Sequence, residues 1–143
     1  MLTELCAELK NYFLRDASKD IHSGTFTIEN GSIELPFLLN GQYFRIVGSV
    51  FNDGVYQYPA SKLTNEVFSG SVWAMAVPLS VIALADEIKA WNTANADALS
   101  GMYQSESFGG YSYSKPAGSS GGAYSWKDQF AGRLANYRRL SVL

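Results

Sequence analysis

The chain has 143 residues, 47% of them hydrophobic and 17% charged, with a formal net charge of −2. That length suits one domain able to bury a core without staples, and that composition excludes wholesale disorder. Its single cysteine, Cys6, excludes an internal disulfide, and together with the single histidine, His22, it cannot supply a zinc ligand set.

Leu2, Leu5, Cys6, Leu9, Tyr12 and Phe13 recur at the spacing of one helical face. They predict a first helix from about Leu2 to about Arg15 with Cys6 as a buried core thiol. Asp16 to Gly24 is polar and turn-like, so Asp16 and Asp20 read as a surface pair. His22 reads as a surface residue there, because no activated nucleophile or G-x-S-x-G elbow accompanies it. From Phe26 the period changes to two: Phe26 and Ile28, then Ile33 and Leu35, flank an Asn30-Gly31 hairpin turn. Turns at Asn40-Gly41 and Asn52 to Gly54 bracket "QYFRIVGSVF" and precede "VYQY". Together they predict a small antiparallel β-meander over about 24–58.

Beyond Pro59, the β-branched and aromatic content of "EVFSGSVWAMAV" predicts a further strand over about 67–77. Val67 to Ala85 carries no charge, yet Ser69, Gly70, Ser71, Pro78 and Ser80 break the run, and no membrane helix is expected. Val81, Leu84, Ala85, Ile88 and Trp91 predict a second helix over about 78–92, opened by Pro78, with Asp86 and Glu87 on its solvated side. "NTANADALSG" ends that helix by Gly101. A Gly/Ser-rich stretch over 105–126 follows, studded with Phe108, Tyr111, Tyr113, Tyr124 and Trp126. Ser125-x-x-Asp128 has the form of a capping box, and Trp126, Phe130, Leu134 and Tyr137 share one face of a third helix over about 125–139. The expected class is α+β: three helices packed with a β-meander, plus an extended Gly/Ser/Tyr-rich arm. Residues 1–101 would form the core domain and 102–143 the arm with its terminal helix.

Enzymatic patterns are weak. "GSSGG" lacks the Lys-Ser/Thr of a phosphate loop, and the carboxylates are not spaced as in a calcium loop. No catalytic residue, metal or cofactor is expected. Glu4 and Glu8 stand where a secretory signal would be basic and then apolar, which predicts a protein that stays in the cytoplasm where it is made. Residues 1–114 hold six Lys/Arg against twelve Asp/Glu, whereas residues 115–143 hold five against Asp128 alone. A basic, aromatic tail on an acidic body is a cue for an interaction surface. Aromatic anchors in a Gly/Ser backbone suit a segment that orders on meeting a partner, although the same rings can pack on their own domain.

"GQYFRIVGSVFNDGVYQYP", "EVFSGSVWAMAVPLSVIALADEIKAW", "SESFGGYSYSKPAG" and "AYSWKDQFAGRLANYRRL" together resemble small tailed-phage and prophage proteins encoded among the head genes, the head-to-tail connectors or adaptors. The resemblance covers the chain from about residue 24 to the end. It implies a structural virion protein of the neck, a homo-oligomer commonly forming a dodecameric ring beneath the portal protein. Such a ring receives a head-closure or tail protein on its other side and lets DNA pass through its lumen without specific binding. The resemblance would make Phe108, Tyr111, Tyr113, Tyr124, Trp126, Phe130, Tyr137, Arg138 and Arg139 the surface for the portal or a neighbouring subunit. The β-rich stretches at 24–58 and 67–77 depart from the simplest helical adaptors, so a head-closure or tail-completion protein of the same neck is the alternative. A nucleic-acid-binding module using the basic tail is a further one.

Overall fold

A computed structural model describes residues 1–96 and 124–142. The elements run in the order α1 (Leu2–Leu9), α2 (Ala17–Asp20), β1 (Ile21–Glu29), β2 (Ser32–Ile33), β3 (Tyr43–Val47), β4 (Gly54–Gln57), β5 (Glu66–Ala74) and α3 (Leu79–Ala94), then α4 (Trp126–Gln129) and α5 (Ala131–Leu134). The class is α+β, built as a curled antiparallel five-strand half-barrel with a few helices.

The first helix stops at Leu9 instead of continuing to Arg15. Lys10 turns left-handed at φ 52°, its N–H donating to Ala7 and that of Asn11 to Cys6, which closes the last turn. The Asn11 side chain then holds the exit, donating to the Tyr137 carbonyl at 2.9 Å and accepting from the Phe13 N–H at 3.0 Å. Tyr12 and Phe13 still reach the core from this non-helical segment, so apolar spacing alone does not report the backbone geometry. Asp16, in the stretch read as a turn, caps the single-turn α2 by accepting from the Ser18 N–H.

The strands pair in the order β2-β1-β5-β3-β4, which corrects the meander. β5 is long enough to pair with β1 along nearly its whole length and with β3 along its C-terminal half, so it takes the centre. Asn30-Gly31 forms the expected hairpin, both residues at positive φ, with Glu29 opposite Ser32. β1 starts at Ile21, so His22 is a strand residue stacked on Phe37, ring centroids 3.8 Å apart, and not part of a polar turn. The glycine inside β5 has a packing reason: a Cβ on Gly70 would sit 2.2 Å from the Val47 carbonyl oxygen, where the end of β3 presses onto the curled sheet.

Ile28, Ile33, Leu35, Leu38, Phe44, Ile46, Leu63, Phe68, Val72 and Ala74 fill the inner face of the half-barrel. On the other face Cys6, Tyr12, Trp73 and Met75 form a second cluster beneath α1. Leu5 and Leu9, on the neighbouring flank of α1, join Val81, Leu84, Ala85 and Ile88 of α3 and Leu134 of α5. The α3 stripe is buried as its spacing predicts, with Pro78 as N-cap. The third helix is not continuous over 125–139. Ser125 and Asp128 do make the predicted capping box, but the backbone breaks at Phe130, at φ −104° and ψ 12°, and two single turns result. Trp126, Phe130, Leu134 and Tyr137 still face the cluster on α1 and α3 across the break.

Candidate interaction surfaces

Six of the nine sequence-derived site residues lie on this helical face; Phe108, Tyr111 and Tyr113 lie outside the described residues. Trp126, Phe130 and Tyr137 are half-buried against the helical cluster. Phe130 and Tyr124 each meet the Trp91 ring edge-on at 6.3 Å, and the Tyr124 hydroxyl donates to Gln129 at 2.7 Å. Tyr137 meets Phe13 edge-on, and its hydroxyl is 2.9 Å from the Ser80 hydroxyl. Arg138 bonds both the carbonyl and the carboxylate of Glu8. Arg139 is exposed, and its backbone N–H donates to the Leu9 carbonyl at 2.8 Å.

The basic character of the tail is largely answered by the body. Lys127 and Arg138 both pair with Glu8, and Arg133 pairs with Glu87. These pairs are mostly solvated, so they position the segment more than they stabilise it.

The β3–β4 loop is a second surface, one that turn chemistry alone does not reveal. Val50 is 81% exposed and Phe51 66% exposed, while Asn52 beside them is only 2% exposed. The Asn52 amide donates to the Thr64 carbonyl and to Glu66, and its oxygen accepts from the Thr64 N–H, each at 2.8 Å. Its carbonyl accepts from the Tyr56 hydroxyl at 2.8 Å. Ser49 bonds the Glu66 carboxylate through its hydroxyl, which also accepts from the Phe51 and Asn52 N–H groups. Asp53 accepts from the Ser49 N–H at 2.7 Å. The loop is thus fixed from inside by polar groups while its two large apolar side chains stand in solvent. An apolar tip held in one geometry meets a partner without a large ordering cost. The signal in the sequence is the Val-Phe pair directly before Asn52-Asp53-Gly54.

Arg45 lies between two aromatic rings, its guanidinium carbon 3.9 Å from the Tyr12 centroid and 4.4 Å from that of Trp73. Burial pushes the Cys6 thiol up to about 12, opposed only in part by Arg45, so it offers no thiolate at neutral pH. Burial likewise raises the Tyr12 and Tyr56 hydroxyls. Among the described residues, no three His, Cys, Asp or Glu side chains converge as a metal site would need, and no helix is long and apolar enough to cross a membrane. Comparison with protein families, with curated proteins and with solved structures finds no match to the chain.

Proposed function

We propose that this protein is a head-to-tail adaptor: a structural subunit that assembles into a ring beneath a phage portal, joins head to tail and lets DNA pass. The observation that carries the reading is the stiff, solvent-facing Val50-Phe51 tip, which suits docking against another protein and not the capture of a small molecule. The sequence resemblance to neck proteins supplies the class of partner. Tyr124, Trp126, Phe130, Tyr137, Arg138 and Arg139 form a second patch, half-buried or exposed, on the helical side of the subunit. A ring subunit needs several such surfaces, because each copy contacts neighbours through unlike faces and the stack above and below through others.

The test is co-expression with the portal of the same genome, followed by electron microscopy of the purified complex. A ring coaxial with the portal is expected, and V50S/F51S should remove it while leaving the subunit folded. A chain that never associates with the portal overturns the proposal. The five-strand half-barrel favours head closure or tail completion as a second reading; addition only after an adaptor ring is already on DNA-filled heads would select it. A nucleic-acid module is disfavoured by the pairing of Lys127, Arg133 and Arg138 with the body's own carboxylates. Strong, steeply salt-dependent DNA binding would favour it instead.

A further inference from the structure

The half-barrel ends in two edges that are treated differently. At β4 the outward N–H of Val55 donates to the Thr3 hydroxyl at 3.0 Å, so α1 blocks that edge. At the other edge the two residues of β2 cover only Ile28 and Glu29. The Met75 N–H bonds the Tyr43 carbonyl, so odd-numbered β5 residues bond β3 and even-numbered ones bond β1. By that alternation Ser23, Thr25 and Thr27 turn their N–H and C=O groups away from the sheet.

β2 stops for a visible reason. Continuing its register would set Pro36, which has no N–H, opposite Thr25. Leu35 instead dives into the core with its N–H on the Tyr58 hydroxyl at 3.3 Å. Within the edge left behind, Ser23 to Thr27 contains no proline and no charge. Beside it runs an open groove of about 540 Å³ lined by Thr25, Phe26, Thr27 and Ile33 and by the carboxylates of Glu29 and Glu34.

We infer that this edge accepts a sixth strand, supplied by residues 108–115 of a second copy of the chain. Three properties of that segment match the groove. Tyr111-Ser112-Tyr113-Ser114 alternates large and small with the period of a strand. On the inner face the tyrosines continue the aromatic row already made by Phe68 and half-buried Phe26, whose rings are 5.5 Å apart. Lys115 is the only charge between Ser107 and Trp126, and it meets a groove that carries two carboxylates. Backbone pairing supplies affinity and the aromatic row supplies register, the mode of strand addition to an open sheet. Because donor segment and acceptor edge are unlike surfaces, repetition from copy to copy gives a head-to-tail array that can close into a ring. The inference concerns only contacts between copies and does not depend on the portal assignment.

The test uses full-length chains and no portal, so its failure would leave the neck assignment standing. T25C is mixed with G110C, S112C or S114C, one at a time, under mild oxidation, and non-reducing electrophoresis reads the products. Cys6 is buried and stays silent. An inter-chain disulfide with at least one of the three partners is expected; its absence from all three overturns the inference. A double variant such as T25C/S112C that links only within one chain overturns it too, since the strand would then dock on its own sheet. T25P removes an edge N–H that bonds nothing within the sheet, and sedimentation should show self-association lost with the circular dichroism spectrum unchanged. A folded T25P chain that self-associates like the wild type is the opposite result and rejects the edge. Should T25P not fold, the disulfide series decides alone.

Discussion

The β3–β4 loop and the helical turns of the C-terminal segment handle large apolar side chains in opposite ways. In the loop, Asn52 is buried and Val50 and Phe51 are exposed; in the C-terminal segment, Leu134 is fully buried and the cations lie outside on Glu8 and Glu87. The segment that looks more like a sticky arm is, over 124–142, tied into the body. The stretch that reads as an ordinary turn carries exposed apolar surface at Val50 and Phe51, while the C-terminal segment leaves Leu140, beyond its last helical turn, in solvent. What decides each case is where the backbone polar groups find partners. The loop is tied within itself and to Thr64 and Glu66, which frees its side chains, whereas the terminal turns bond their own backbone and bury their apolar side chains in the helical cluster.

The contrast predicts graded losses. Leu134→Ala removes the fully buried anchor of the segment and should cost about 2–5 kcal/mol, read as a lower melting temperature in calorimetry. A loss below about 1 kcal/mol would mean that the segment is merely resting on the body. Asn52→Ala strands the Thr64 N–H and should cost about 1–3 kcal/mol in urea denaturation, with faster amide exchange at 49–53. An unchanged midpoint would show that the loop is not held by its network.

Cys6 sharpens the packing under α1. Its folded pKa is raised, from 9.0 to about 12, so its contribution is complete below the unfolded value and is lost as pH climbs between those two values. The fall in stability above pH 9 should be shallower in Cys6→Ala than in wild type, while Tyr12 and Tyr56 contribute in the same direction to both. Parallel curves would place the thiol in contact with water. Glu8→Gln weakens the pairs to Lys127 and Arg138 and should cost under about 1 kcal/mol, less still in high salt. Smallest of all, Phe51→Ser should change stability by no more than about 0.5 kcal/mol, because its side chain stands in solvent.

The α3 stripe, the Asn30-Gly31 hairpin, the Ser125 capping box and the burial of Cys6 were all legible in the sequence. Each depends on residues close together in the chain, whose periodicity or turn chemistry acts locally. The end of α1 was not legible, since Tyr12 and Phe13 keep helical spacing while Asn11 fastens the exit to Tyr137, 126 positions away. Nor was the apolar tip, whose rigidity comes from Thr64 and Glu66 across the fold.

Local pattern therefore determined the α3 stripe, the hairpin between β1 and β2 and the capping box before α4, because backbone preference and amphipathic period are properties of neighbours. Only the tertiary structure decided that β5 takes the centre of the sheet, that β4 is blocked by Thr3 while β1 stays open, and that Val50 and Phe51 face water. Those outcomes depend on hydrogen bonds between distant positions, and such bonds leave no period in the chain.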